Sequence, residues 1–374
     1  MRRIFCYFGI FTAFILVVPT AVALRFLPCA EQQATKVAAQ TAEAAPAAEE
    51  TAESEEELGG EEEQGTQAAP GAPGEDAAND TDAAGAPAKE TTEEAAEEAE
   101  EEVPWKTVTV RHGDEILEMD LEEYVFRVTR AEVPASFSPQ ALRACSVAVR
   151  SYTVYKLLHG SAAEHNGAML CTESRHCMAF GTAQEMPGCP VRAACRDTRG
   201  QVMCCDGEVC QTFFFSMCGG YTADSAHVFA ASRAYLVPVF SPESAGLKGF
   251  ETTAEFTKQE LAQALREKGY TVTDEEAPVV LVQDAQGYVL SFSFGELTLG
   301  GTAARLALGL RSSCFCVQQR GETVLFTVHG YGHGVGLSQW GAELYARQGW
   351  DYEKILCHYY RGASVQTLAA LLRS

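Results

Sequence analysis

TRAEVPASFSPQALRACSVAVRSYTVYKLL, residues 129–158, is the stretch from which the rest of the chain is read. Ser138 is a good N-cap and Pro139 a good first helical residue, so the sequence predicts a helix opening there. Ala141, Cys145, Ala148 and Tyr152, flanked by Leu142 and Val149, fall on one helical face. A helix this apolar has to be buried in a folded body. Glu132 is expected in the turn just before it.

Working outward, VTVRHGD (108–114) and EILEMDLEEYV (115–125) predict a strand pair turning at His112-Gly113-Asp114, then a helix from Leu121. Downstream, Arg199 to Ala223 reads as strand, with a hairpin signal at Asp206-Gly207 and a breaker at Gly219-Gly220. Thr257 to Gly269 predicts a short helix with an N-cap threonine, an acidic first turn at Glu260 and a terminal glycine. Strands are expected in PVVLVQD and YVLSFSF around Gly287, a helix near Gly301 to Leu308, and a strand pair in SCFCVQQRGETVLFTVHG. The chain closes with GYGHGVGLSQWGA and a helical tail. Mixed antiparallel strands with separate helices, and no βαβ or internal repeat, indicate an α+β domain over residues 105–374.

The N-terminal third has a different texture. After Arg2 and Arg3, residues 1–24 carry no charge and are about as long as a hydrocarbon core requires, so they are expected to enter a membrane with the N-terminus inside. An uncleaved anchor and a cleaved signal peptide, with Ala21-Val22-Ala23 as the cleavage site, both fit. Residues 25–104 read as an acidic, disordered linker. Between Thr41 and Val103, 22 acidic residues face one lysine, accounting for −21 of the chain's net −23. The folded domain is therefore close to neutral, and the acidic run reads as a self-repelling spacer. No basic stripe is present to hold nucleic acid.

Chemistry-bearing residues concentrate in the folded part. His165, Cys171, His176 and Cys177 bring imidazoles and thiols together as a tetrahedral structural zinc site requires; a Cys171–Cys177 disulfide with exposed histidines is the alternative. The remaining cysteines, among them Cys189, Cys195, Cys204, Cys205 and Cys210, show no metal spacing, and their pairing is open. Cys145 is expected as a buried thiol.

Residues 131–153 (AEVPASFSPQALRACSVAVRSYT) resemble the signature of the SpoIID/LytB family. CTESRHCMAFG (171–181), LGLRSSCF (308–315) and HGYGHGVGLSQWGAELYARQGWDYEKILCHYY (329–360) match further motifs in the family's order. The resemblance implies a two-lobed, grooved SpoIID-like domain. It also implies a lytic transglycosylase that cleaves the MurNAc–GlcNAc bond of peptide-free glycan strands during sporulation engulfment.

Such an enzyme needs one carboxyl group, kept protonated by a partly apolar setting, first as acid and then as base. The family match places it on Glu132. Arg150 matches an arginine of the same motif and is expected either to bind sugar or to pair with an acidic neighbour. Ser216, Gly219, Gly220 and Tyr221 correspond to a family stretch suited to close glycan approach, although Phe215 stands where a histidine is usual. His333, Ser338 and Gln339 are expected to orient sugar, or, for His333, to satisfy backbone carbonyls.

The resemblance agrees with zinc at the His/Cys cluster. It implies a single-pass protein of the septal or engulfing cell membrane with its catalytic domain outside. Its implied partners are the sporulation amidase and polytopic membrane protein of the engulfment complex (stage II sporulation proteins P and M). Two other readings stay open: a non-catalytic wall-binding module that stimulates an amidase, as the LytB branch is named for doing, and a hydrolase with a catalytic zinc.

Overall fold

At Gly113 the backbone takes φ +60°, the conformation a two-residue hairpin loop asks of its first position. The strands on either side, β1 (Thr107–His112) and β2 (Glu115–Asp120), pair antiparallel from Thr107↔Asp120 to His112↔Glu115. The computed structural model describes residues 106–174, 176–182, 188–229 and 232–373, so the expected anchor (1–24) and linker (25–104) lie outside the described residues. Among the described residues no helix is long and apolar enough to cross a membrane.

Asp120 ends β2 and caps α1 (Leu121–Glu132), its carboxylate accepting from the Glu122 and Glu123 amides. The buried helix expected at Pro139 is α2 (Pro139–His159). It is covered on more than the expected face, since Val147, Ser151 and Thr153 are also fully buried. The hydroxyls of Ser146, Ser151 and Thr153 donate to carbonyls one turn back, which satisfies them inside an apolar setting. The first core packs α2 against α1, α3 (Pro190–Asp197) and a sheet ordered β14-β4-β5. Here β4 is Gln201–Cys205, β5 Glu208–Val209 and β14 Ser364–Thr367. Asp206 and Gly207, both at positive φ, make the predicted tight turn.

A second core forms from residues 251–328. One sheet is ordered β11-β12-β7 and another β10-β9-β8. Their strands are β7 (Glu251–Thr257), β8 (Val279–Gln283), β9 (Val289–Phe294), β10 (Leu297–Leu299), β11 (Phe315–Arg320) and β12 (Thr323–His329). Two helices pack on them. α4 (Lys258–Glu267) opens with a full capping box between Thr257 and Glu260, and α5 (Gly301–Ala307) begins where a Cβ on Gly301 would overlap the Val289 carbonyl. Tyr288 and Cys314 from this stretch are buried in the first core. The chain then returns through the Gly-rich segment to β13 (Leu337–Ser338), α6 (Gln339–Arg347) and α7 (Tyr352–Tyr359), with β13 parallel to β6 (Phe214–Phe215). The architecture is α+β, as expected.

Candidate active site

Glu132 is the last residue of α1 and not part of the following turn, as the sequence had suggested. The cause is local. Val133 precedes Pro134 and takes an extended conformation (φ −124°, ψ 133°), so the helix can run to Glu132 and no further. Val133 and Phe137 turn inward, leaving the Glu132 side chain half-buried at the helix end.

Its partners come from far along the chain. The Ala179 amide donates to Oε1 at 2.8 Å, and the Gln339 side chain hydrogen-bonds the same carboxyl group. Burial pushes the carboxyl above the ordinary glutamate range, and these two hydrogen bonds only partly oppose it. Among the described residues no cation shifts it. A carboxyl so placed holds its proton at pH values where an exposed glutamate has lost it.

The segment carrying Ala179 lies along α1. Phe180 stacks on Tyr124 with ring centroids 5.8 Å apart, and Gly181 donates to the Arg127 carbonyl at 3.1 Å. A Cβ on Gly181 would meet that oxygen at 2.9 Å, so glycine permits the approach. Immediately upstream are the four expected metal ligands. His165, Cys171, His176 and Cys177 offer ligand atoms that all lie within 4.8 Å of one another. Cys177 Sγ is 3.3 Å from His165 Nε2 and 3.9 Å from His176 Nδ1, and Cys171 Sγ is 3.4 Å from His176 Nδ1.

Zinc bonds to sulfur and nitrogen at tetrahedral angles separate such ligands by about 3.6 Å, so the donor set fits the ion in kind and number, and these three separations lie near that spacing. The two thiols are not joined to each other. The disulfide among the described cysteines is instead Cys205–Cys210, across the Asp206-Gly207 turn. Cys145 and Cys195 are buried thiols, Cys145 pushed up to about 12 by burial.

For Arg150 and His333, each left with two readings by the sequence, the structure shows partners inside the fold. Arg150 is completely buried and serves the core. Its Nε and Nη2 grip both Glu122 oxygens at 2.8 and 2.6 Å, and Nη1 and Nη2 donate to the Gln201 and Cys195 carbonyls, each at 3.2 Å. With these donors engaged, the guanidinium is not offered to a sugar. Burial pulls the His333 imidazole down to about 4, and both its nitrogens are used by backbone: Nε2 with the Phe214 carbonyl at 3.0 Å, Nδ1 with the Val335 amide at 3.1 Å. It satisfies backbone, the alternative raised for it above.

Ser338 is fully buried and also turns inward, donating to Glu243 while capping α6 by accepting from the Gly341 amide. That cap fixes Gln339, the first residue of α6, against Glu132. The Ser216 carbonyl accepts from the Trp340 amide at 3.0 Å, so Ser216 adjoins this corner through its backbone. Gly219 is glycine for packing, since a Cβ would meet Cys314 Sγ at 2.9 Å, and Gly220 takes φ +104°. Tyr221 packs edge-on against Phe240, and its carbonyl accepts from the Tyr288 hydroxyl.

The sequence reading missed Glu243 and Glu343, both almost fully buried. Glu243 holds Ser338 and the Cys218 amide; Glu343 accepts from the Ser138 amide and hydroxyl, tying the start of α2 to α6. Glu343 sits one turn after Gln339 on α6, which is the one signal that pointed to it.

Comparison with known proteins follows this geometry. A family model described as stage II sporulation protein, SpoIID, matches residues 111–204. Stage II sporulation protein D of Bacillus subtilis (strain 168) is 30% identical over 263 residues, covering 67% of this chain and 76% of the relative. Its counterpart in Bacillus amyloliquefaciens is 27% identical over 263 residues with the same coverage. An amidase enhancer of Bacillus subtilis (strain 168) is 24% identical over 286 residues, covering 63% of this chain and 39% of the relative.

Proposed function

This chain belongs to the SpoIID family, and from that premise we propose that it is a peptidoglycan lytic transglycosylase in which Glu132 is the single acid and base. The observation that carries the reading is the setting of Glu132: half-buried, raised by burial, held by one amide and one glutamine, and, among the described residues, without a cation that would strip its proton. In the reaction the Glu132 carboxylic acid protonates the bridging glycosidic oxygen as the bond from the muramoyl C1 breaks. The resulting carboxylate takes the proton from that sugar's own C6 hydroxyl as its oxygen closes onto C1, giving a 1,6-anhydro end. The acid is regenerated and water is not consumed, so one carboxyl group suffices.

Zinc at His165, Cys171, His176 and Cys177 has a structural role in this reading, because four protein ligands leave no open position for water. Cys177 is two residues before Ala179, so the site holds the segment that aims an amide at Glu132. Residues 1–24 anchor the chain in the sporulating cell's membrane, and 25–104 let the domain at 105–374 reach the wall outside it. An amidase that strips peptides and a polytopic membrane protein, the stage II sporulation proteins P and M, are its partners.

The amidase-enhancing relative supports a second reading, a wall-binding module that stimulates an amidase without cutting glycan. One experiment separates the two. The chain and its Glu132→Gln variant are incubated with peptide-free glycan, and the new ends are identified by mass spectrometry. Anhydro ends from the parent alone are expected; intact glycan in both points to the binder, and equal product from both removes Glu132 from the chemistry.

A further inference from the structure

The LGLRSSCF motif and the exposed tyrosine of the Gly-rich segment have no part in the chemistry at Glu132. They meet each other. Arg311 Cζ lies 4.3 Å from the ring centroid of Tyr331, whose surface is 47% exposed. The backbone beneath is rigid. Tyr331 and Met217 exchange hydrogen bonds at 2.7 and 3.0 Å, and Gly332 donates to the Arg311 carbonyl at 3.0 Å. A Cβ on Gly330 would meet the Met217 carbonyl at 2.6 Å and one on Gly332 the Phe215 Cβ at 2.7 Å, so these glycines allow the segment to press down and present the phenol.

A second guanidinium stands nearby. Arg305, on α5, donates to the Leu310 carbonyl at 3.3 Å, and Tyr331, Tyr288 and His333 all feel its charge. Whereas Arg127, Arg143, Arg150 and Arg266 each hold a carboxylate, no such partner is recorded for Arg305 or Arg311 among the described residues. Burial pulls Arg305 below its ordinary value, the sign of a cation desolvated without a counter-ion. An anion brought here relieves that cost.

We propose that Arg305, Arg311 and Tyr331 form a glycan subsite for a carboxylated sugar, with the sugar ring against the phenol and its carboxylate facing the two guanidinium groups. The proposal rests on the glycan-cleaving reading above and deepens it. A muramoyl sugar carries a free lactyl carboxylate only after the amide to its peptide has been hydrolysed, so this site favours strands that an amidase has already stripped. It shares a frame with Glu132: Tyr331 pairs with Met217, the adjoining Ser216 carbonyl takes the Trp340 amide, and the preceding Gln339 reaches Glu132.

The test measures binding to the full chain in detergent micelles, in a Glu132→Gln background that prevents turnover. Three probes are used: peptide-free muramoyl oligosaccharide, the same material with its lactyl carboxylates amidated, and a chitooligosaccharide that has none. The acid form is expected to bind about tenfold more tightly than the amidated form, the difference of one charge-assisted contact. Arg311→Gln brings that ratio close to one while chitooligosaccharide affinity stays unchanged, and Arg305→Gln does the same. If Arg305→Gln does not fold, Arg311→Gln decides. A ratio near one in the parent, or a ratio kept in Arg311→Gln, overturns the subsite. A chain that shows the ratio but cuts no glycan with Glu132 intact keeps the subsite and loses the transglycosylase.

Discussion

Helix α1 carries a partly buried glutamate near each of its ends, Glu122 and Glu132, whose surroundings are opposite. Near the N-terminus Glu122 has both oxygens on the Arg150 guanidinium and a third donor in the Gly200 amide. At the C-terminus Glu132 faces the Ala179 amide and the Gln339 side chain, with burial as the largest influence on its proton. The same residue type on the same helix is thus a structural tie at one end and, in the proposed reaction, the proton carrier at the other. The difference lies in the partner: Glu122 is gripped by a buried guanidinium, while Glu132 meets neutral donors in an apolar setting that favours its acid form.

Exchanging the roles breaks the comparison most sharply. Glu132→Gln is expected to lower the rate of glycan cleavage by about 10³-fold, the order of losing a general acid. It should also leave melting at neutral pH unchanged or higher. The raised value of Glu132 means that deprotonation costs the folded state stability as pH climbs through it, and glutamine has no proton to lose. A calorimetric scan beside the rate assay checks both; a variant that melts much lower denies the account its functional reading.

Arg150→Met reverses the pattern, since it leaves Glu122 without its cation. A loss of about 3–5 kcal/mol is expected, as for breaking one side of a buried pair, with cleavage per folded molecule retained. Denaturant titration alongside active-site-normalised rates reads this out. A stable but inactive Arg150→Met protein would return Arg150 to the substrate.

Cys177→Ser sharpens the comparison from the side of the Ala179 segment. The bound zinc, counted by elemental analysis, should fall, the melting temperature should drop, and cleavage should decline in parallel with unfolding. Activity lost on chelation at a temperature where the fold is intact favours a catalytic metal instead.

The smallest effect is expected from Gln339→Leu. In the proposed reaction cleavage requires protonated Glu132, so its rate is expected to fall as pH rises through that raised value. Removing the Gln339 hydrogen bond, which holds the value down, shifts the falling limb to higher pH. A limb that stays put separates Gln339 from Glu132.

Much of the fold was legible because it is written locally. Gly113, the Asp206-Gly207 pair, Ser138-Pro139 and the Thr257/Glu260 box each dictate backbone within a few residues, and each element formed where expected. Glu132 was misplaced by one step because the restriction imposed by Pro134 acts on Val133, not on the residue before it. The His/Cys cluster was visible since its ligands lie close in sequence.

The two ties of Glu132 were not visible, nor were Arg150–Glu122 and Glu243–Ser338. Each joins segments far apart in the chain, and no spacing encodes them. That is also why the sequence left Arg150 open between substrate and an acidic neighbour, and only the fold shows it as the core's own counter-ion.

The most direct measurement of the central claim is cleavage of peptide-free glycan in ¹⁸O-labelled water. The account predicts muramoyl ends that carry no label and have the mass of the internal anhydride, formed by the parent chain and not by Glu132→Gln. Labelled reducing ends, or anhydro ends made equally well without Glu132, contradict it.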